Sequence, residues 1–149
     1  MYPSMLQGLV AAALAAGVSA AAFAQVTNQP ACGNAMLRGN YGIQMQGTNA
    51  SSPGGPIQTV IGVVVRRYDG NGNITQFDNI KGSITGMVPD RFGMGTYRVN
   101  DDCSVIIEFN PAPGVVIQEK GVLVDNGHEV RTITVTPATT MVTAVHLRM

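Results

Sequence analysis

Residues 57–79 read IQTVIGVVVRRYDGNGNITQFDN and decide the fold. Two segments rich in Val, Ile and Thr flank the turn Asp69-Gly70-Asn71-Gly72-Asn73, whose residues tolerate positive φ. Such a turn between β-branched segments predicts a hairpin of two antiparallel strands. Because the segment from Val60 to Val65 is apolar on both faces, we expect its strand to be covered on both sides.

Outward from this hairpin, the same alternation of β-branched segments and turns covers residues 37–149. Turn residues recur at Asn110-Pro111-Ala112-Pro113-Gly114 and at Asp125-Asn126-Gly127. There are eight or nine predicted strands, depending on whether residues 73–88 form one bent strand or two. They are Leu37–Gln46, Ile57–Tyr68, Asn73–Asn79, Gly82–Val88, Gly93–Asn100, Ser104–Asn110, Val115–Val124, Glu129–Thr136 and Thr139–Arg148.

The predicted fold class is all-β. Consecutive strands joined by short turns pair in antiparallel fashion, and closing such a sheet removes its exposed edges. We therefore predict a single small antiparallel barrel, with a two-sheet β-sandwich as the alternative. The segment from Thr48 to Pro56 is polar, rich in Pro and Gly, and long for a hairpin loop. We interpret it as an exposed tip rather than a lid over one end.

The N-terminal segment predicts export. Residues 1–24 are interpreted as a helical signal peptide, because an Ala-rich apolar segment ends in Ala22-Phe23-Ala24, which suits a signal peptidase. An uncleaved membrane anchor is the alternative. Residues 25–36 are then an irregular lead-in, and residues 37–149 form the barrel domain. The compact Ala-rich signal favours a bacterial protein, periplasmic or secreted.

After cleavage we expect no stable membrane span. A transmembrane barrel needs aromatic girdles, and this chain contains no Trp. Nine Lys and Arg residues balance nine Asp and Glu residues, and no basic stripe is present. Nucleic-acid binding by phosphate neutralisation is therefore not predicted.

Cys32 and Cys103 are the only thiols in the chain. Two cysteines in an exported chain are expected to form a disulfide. The chain-entropy model allows a loop of this length ~4 kcal/mol of stabilisation. The alternative is a reactive or metal-binding thiol, but neither cysteine lies in a C-x-x-C motif and His128 and His146 are the only imidazoles. No metal, cofactor or catalytic residue is predicted.

Glu129 and Arg131 are candidate ligand-binding residues. They share one face of a predicted strand with Ile133 and Val135. If that face points into a barrel, a carboxylate and a guanidinium lie in an apolar lumen. Buried charges are costly unless they are paired, so such a pair often marks a ligand site.

The alternative, which we favour, points the opposite face of this strand inward. Val130, Thr132 and Thr134 would then enter the lumen and both charges would be solvated. Tyr97 is the third candidate ligand-binding residue. It lies on the opposite face of its strand from Arg98, so at most one of these two side chains reaches the lumen.

The order of several short motifs resembles a group of small exported bacterial proteins of uncharacterised function. These motifs are Cys32, Leu37-Arg38-Gly39-Asn40-Tyr41-Gly42, Asp69-Gly70-Asn71-Gly72-Asn73, Gly95-Thr96-Tyr97-Arg98-Val99-Asn100-Asp101-Asp102-Cys103 and the segment from Val122 to Val130. The resemblance implies a barrel similar to those of allene oxide cyclase and dirigent proteins, whose lumens hold apolar small molecules. It carries over no functional residue.

Three functions follow as hypotheses. The first is an exported β-barrel that binds an apolar small molecule or an envelope partner. The second is an isomerase-like or cyclase-like enzyme that acts on a hydrophobic molecule in the lumen. The third is a structural or adhesive surface protein. A lumen filled by Met, Ile and Val would favour the third, whereas an open pocket with two or more buried polar groups would favour the enzyme.

Overall fold

The computed structural model describes residues 31–149, and the predicted signal peptide lies outside them. In this part of the chain, eight strands form one closed antiparallel barrel, in which consecutive strands pair and the last pairs with the first. The predicted all-β barrel is therefore confirmed, and the sandwich alternative is wrong. The strands are β1 (Arg38–Ala50), β2 (Ile57–Asp69), β3 (Asn73–Gly82), β4 (Gly86–Val99), β5 (Ser104–Ala112), β6 (Val115–Val124), β7 (Glu129–Thr136) and β8 (Met141–Arg148).

Helical structure within residues 31–149 is limited to two short 3-10 turns, Asn34–Met36 and Asp125–Gly127. No helix in this range is long and apolar enough to cross a bilayer. The predicted hairpin at residues 69–73 is confirmed. Its turn is held by Asp69, and hydrogen bonds from the Asn73 side chain, then from the backbone of Asn73 and Asn71, lower the pKa of this carboxyl to about 2.

One predicted strand is wrong. The segment predicted as the strand Gly82–Val88 contains the turn between β3 and β4 at residues 83–85. This turn is held from β2, because the Gln58 side-chain oxygen accepts hydrogen bonds from the backbone N–H groups of Ile84 and Thr85, at 3.0 and 2.9 Å. The turn residues Ser-Ile-Thr are flanked by Gly82 and Gly86, and Gly86 adopts φ 76°, so the local signal for the turn lay in these two glycines.

The break predicted between Val88 and Gly93 is also wrong, because β4 continues through it. Strand β4 has one residue more than β3 in this region, and a shift of register accommodates it. Asp78 pairs with Arg91, but Ile80 pairs with Val88. Asp90 adopts φ 48° within this irregularity, and its N–H donates to the Asn79 side chain. Such a bulge bends a strand without ending it.

Alternation along each strand decides which side chains enter the barrel. On β5, Val105 and Ile107 point inward and are buried. On β2, by contrast, the outward side chains Ile61, Val63 and Val65 are 54%, 61% and 47% exposed. The expectation that this strand is covered on both sides is therefore wrong. A single closed sheet buries only its inner face, and within residues 31–149 no second layer covers the outer face of β2.

The two ends of the barrel differ. The closed end carries the β2–β3, β4–β5 and β6–β7 turns, together with residues 31–37 that lead into β1. The open end carries the four other connections. An apolar core fills the closed end and consists of Cys32, Leu37, Tyr41, Tyr68, Ile74, Tyr97, Val99, Val105, Ile107, Phe109 and Val130.

The segment before β1 plugs the closed end. The predicted disulfide between Cys32 and Cys103 is confirmed, with its Cα atoms 5.0 Å apart and a sequence separation of 71. Leu37 is fully buried. The Asn34 side-chain oxygen accepts a hydrogen bond of 2.8 Å from the Val99 N–H. Covalent, apolar and polar contacts therefore all fix this segment across the barrel.

Candidate functional site

The open half of the lumen contains a cavity of about 250 Å³. Apolar side chains form about half of its lining, namely Ile43, Met45, Ala50, Val60, Val64, Ile80, Val88, Phe109, Ile117, Val142 and Ala144. Polar side chains line it as well, namely Asn49, Gln58, Arg66, Gln76, Asp78, Thr85, Arg91, Glu119, Thr132, Thr134 and Thr140. Residues 49–51, at the end of β1 and the start of the following loop, border the cavity, so this loop stands at the mouth.

A buried ion pair spans the lumen. Arg66 on β2 is 2% exposed, and it forks onto Glu119 of β6 through Nη2 to Oε1 at 2.9 Å and Nη1 to Oε2 at 3.2 Å. Strands β2 and β6 are not neighbours, so the pair crosses the barrel. Burial opposes both charges, but mutual attraction and hydrogen bonding outweigh it. The pKa of Arg66 is therefore raised and the pKa of Glu119 lowered, so both are ionised at neutral pH.

A neutral imidazole lies beneath this ion pair. Tyr68 Oη is 2.9 Å from Nδ1 of His146, and Thr132 Oγ1 is 3.2 Å from Nε2. Thr132 donates its only hydroxyl hydrogen to Glu119 at 3.0 Å, so the pattern assigns the imidazole hydrogen to Nε2 and makes Nδ1 the acceptor from Tyr68. Burial, and then the charge of Arg66, lower the pKa of His146 to about 3, against the opposing effect of Glu119.

The polar chain continues along the cavity wall towards the open end. Arg66 Nε donates to Gln76 Oε1 at 2.8 Å, and Gln76 Nε2 donates to Asp78 Oδ2 at 3.0 Å. Arg91 then forks onto Asp78, with Nε to Oδ1 at 2.9 Å and Nη2 to Oδ2 at 3.1 Å. We call the connected residues Glu119, Arg66, Gln76, Asp78 and Arg91 the lumen chain.

The lumen chain is internally satisfied. Among the described residues, no buried side-chain nitrogen or oxygen lacks a hydrogen-bond partner. Each of its carboxylates is held by an arginine fork, which is the geometry of a strong ion pair. The Tyr68 pKa is raised by burial, and His146 does not border the cavity. The arrangement is therefore suited to holding and orienting a molecule, and less suited to taking a proton from it.

The structure places Glu129 and Arg131 outside the lumen. They form an ion pair with each other on the outer face, where their side chains are 22% and 65% exposed. The inward residues of β7 are Val130 and Thr132, which are buried, and Thr134, which borders the cavity. Neither Glu129 nor Arg131 borders the cavity.

Tyr97 points inward, but it lies in the core of the closed end and does not border the cavity. Its hydroxyl donates to the backbone oxygens of Asn34 and Leu37 at 2.9 and 2.8 Å. Burial raises the pKa of this phenol. The structure thus gives Tyr97 contacts that fix the plug at the closed end.

The residues of the lumen chain are absent from the sequence-based candidates. His146 faces inward on β8 together with Val142 and Ala144, and it was noted in the sequence only as one of two imidazoles. A signal for two members of the lumen chain was nevertheless present. Counting in steps of two away from the predicted turn, along both strands, places Arg66 opposite Gln76 and on the same face of the sheet. The structure shows this pairing.

Among residues 31–149, no group of three or more His, Cys, Asp or Glu side chains is arranged to hold a metal ion. Comparison of the chain with family models, with curated proteins and with solved structures finds no match. A function for this barrel therefore has to be inferred from the lumen itself.

Proposed function

We propose that the chain is an exported barrel that binds an apolar small molecule in its lumen. The observation that carries this proposal is the open cavity of about 250 Å³, whose lining combines apolar side chains with convergent polar groups. Small-molecule sites are concave and combine apolar and polar groups in this way. At ~30 Å³ for each water-sized group, the cavity accommodates on the order of eight non-hydrogen atoms.

Export is supported by two features. The signal-like segment of residues 1–24 is one, and the disulfide that joins the only two thiols is the other. Disulfides persist in oxidising compartments, such as the bacterial periplasm or the exterior. The proposed location is accordingly periplasmic or secreted.

A purely structural or adhesive role is less well supported, because Met, Ile and Val side chains do not fill the lumen. An enzyme of the isomerase or cyclase type is the second candidate. It is favoured by one observation, that more than two buried polar groups border the cavity. The engagement of both carboxylates by arginines limits that candidate to reactions promoted by positioning.

Native mass spectrometry of the mature protein, purified from the periplasm of its own host, tests the binding proposal. We expect a co-purified small molecule, and we expect the Ala144→Phe variant to lose it, because Ala144 borders the cavity. Thr143→Phe is the matched control, since Thr143 is the adjacent residue and lies exposed on the outer face. Circular dichroism checks that both variants fold.

Two outcomes would overturn the proposal. One is a protein that carries no molecule and also fails to bind 1-octanol, an apolar probe of suitable size, in a calorimetric titration. The other is equal retention by the two variants. Incubating the recovered molecule with fresh protein distinguishes the enzyme candidate from a binding protein. A mass-neutral conversion that Ala144→Phe abolishes would favour the enzyme over the binding protein.

A further inference from the structure

We infer that the lumen selects a ligand whose polar end group is uncharged, such as a ketone or an alcohol, over one that ends in a carboxylate or an ammonium group. This inference rests on the proposed binding function and specifies the chemical class of the ligand. It is carried by the charge balance and by the hydrogen-bond commitments of the lumen chain.

The charges that border the cavity cancel. Arg66 and Arg91 contribute two positive charges, and Asp78 and Glu119 contribute two negative charges. No other charged side chain of residues 31–149 borders the cavity. The lumen therefore offers no net charge to either kind of ion, although single charges lie close to the cavity.

Each carboxylate oxygen is already engaged. Glu119 Oε1 and Oε2 accept from Arg66, and Oε2 also accepts from Thr132. Asp78 Oδ1 accepts from Arg91, and Oδ2 accepts from Arg91 and Gln76. Each carboxylate is held by an arginine at 2.9–3.2 Å, so a cationic ligand that approaches it meets the like charge of that guanidinium at close range.

An anionic ligand is disfavoured as well, because the arginines are already engaged. The Nε, Nη1 and Nη2 atoms of Arg66 all donate within the network. Arg91 is the more accessible arginine, with its side chain 31% exposed, but an anion at Arg91 would also approach the carboxylate of Asp78. Removing an ion from water without a free counter-charge is costly, so we expect the cavity to disfavour an anion.

An uncharged ligand with a hydrogen-bond acceptor, in contrast, can pair with a donor of the lumen. Gln76 borders the cavity, is 1% exposed, and uses one of its two amide hydrogens on Asp78. The other hydrogen has no partner among residues 31–149, so a carbonyl, hydroxyl or ether oxygen that approaches this amide can accept it. The Thr134 hydroxyl also borders the cavity and offers a second neutral partner. A hydrogen bond from either group leaves the two ion pairs intact.

Calorimetric titration of the mature protein at pH 7 with four eight-carbon probes tests this inference. The probes are 1-octanol, 2-octanone, octanoate and octylammonium. We expect both neutral probes to bind at least tenfold more tightly than either ion. If either ion binds as tightly as 1-octanol, the inference is wrong although the binding function stands. If no probe binds and the purified protein is empty, the binding function itself fails.

Charge-changing variants sharpen the test. Asp78→Asn leaves the lumen with one excess positive charge, so octanoate should gain at least fivefold in affinity relative to 1-octanol. Arg91→Gln leaves one excess negative charge, so octylammonium should gain similarly. Glu129→Gln and Arg131→Gln are the matched controls, because they remove the same charges from the ion pair on the outer face.

The two controls should leave the order of the four probes unchanged. Arg91 is partly exposed, so Arg91→Gln provides a test even if Asp78→Asn fails to fold. Charge balance is not the selecting feature if the folded lumen variants keep the wild-type order of affinities. The same conclusion holds if the outer variants shift that order as much as the lumen variants do.

Discussion

The two ends of this barrel use the same eight strands for opposite purposes. At the closed end the inward side chains form an apolar core that the plug and its disulfide seal. At the open end the inward side chains leave a cavity bordered by paired charges. The comparison indicates that the apolar contacts that stabilise the fold are concentrated at the closed end. The open end can therefore contain a cavity.

Tyr68 lies at the boundary between the two ends. Its ring packs edge-on against Tyr41 and Tyr97, with ring centroids 5.0 Å away in each case. Its hydroxyl contacts His146 and Arg66 in the polar network. One residue thus joins the packed half to the polar half, so changes on either side are expected to reach the other through it.

The largest expected effect comes from breaking the ion pair across the lumen. Glu119→Ala leaves Arg66 buried and uncompensated, and we expect a loss of about 4 kcal/mol in the free energy of unfolding. Urea denaturation measures it. Replacing both partners, as Arg66→Met with Glu119→Leu, should recover most of the loss, because no unpaired charge is left. A single variant that loses less than ~1 kcal/mol would show that the pair is not truly desolvated.

The next effect belongs to the closed end. Replacing both Cys32 and Cys103 by Ser removes the link that closes a 71-residue separation, and we expect a loss of about 3 kcal/mol. Urea denaturation of the variant and of the wild type measures this loss. The affinity for 1-octanol, extrapolated to fully folded protein, should not change. A loss of affinity as large as the loss of stability would contradict the division between the two ends.

A matched pair of substitutions compares the ends directly. Ile107 is fully buried in the core of the closed end, whereas Ile80 is only partly buried and borders the cavity. Ile107→Ala creates a new void and should cost about 3 kcal/mol, while Ile80→Ala only enlarges an existing space and should cost about 1 kcal/mol. Thermal and urea denaturation measure both. Equal costs would mean that the open half is packed as tightly as the closed half.

The pH dependence of stability tests the polar boundary. Burial holds the pKa of His146 at about 3, below its ordinary value near 6.5. The unfolded chain therefore binds a proton below pH 6.5 that the folded chain does not bind. Stability is full above pH 6.5 and is lost as the pH falls towards 3, by about 1 kcal/mol between pH 7 and pH 5.5.

Urea denaturation at these two pH values measures the loss. The window lies above the range in which Glu119, whose pKa is lowered, takes up a proton. His146→Gln should remove most of the pH dependence, because no imidazole is then buried. His128→Gln is the control, since this second imidazole is exposed. A wild-type protein as stable at pH 5.5 as at pH 7 would contradict the burial of a neutral imidazole.

A feature of the fold or site could be predicted from the sequence when residues close together in the chain determine it. The hairpin at residues 69–73 sets the pairing of Tyr68 with Ile74, and steps of two then pair Arg66 with Gln76. Local turn chemistry and alternation therefore suffice for these neighbours. The same local signals predicted β6 and β7 with their observed bounds.

The rest of the site needs information that local pattern does not hold. The pairing of Asp78 with Arg91 depends on the bulge opposite Asn79, which the sequence analysis interpreted as a break. The contact between Arg66 and Glu119 depends on barrel closure, which brings two strands that are not neighbours across the lumen. The face of β7 that points inward is set by its register with β8, where Val130 pairs with His146.

The smallest expected effect concerns Glu129 and Arg131, the ion pair that the sequence pattern offered as lumen candidates. Arg131 is 65% exposed on the outer face, so Arg131→Leu removes only a surface ion pair with Glu129. We expect the free energy of unfolding to change by less than ~0.5 kcal/mol, because exposed pairs contribute little. The affinity for 1-octanol should stay within twofold of the wild-type value. If calorimetry instead shows a loss of binding in a folded Arg131→Leu variant, the ligand occupies the outer face, and the contrast between the two ends of the lumen does not determine where this protein binds.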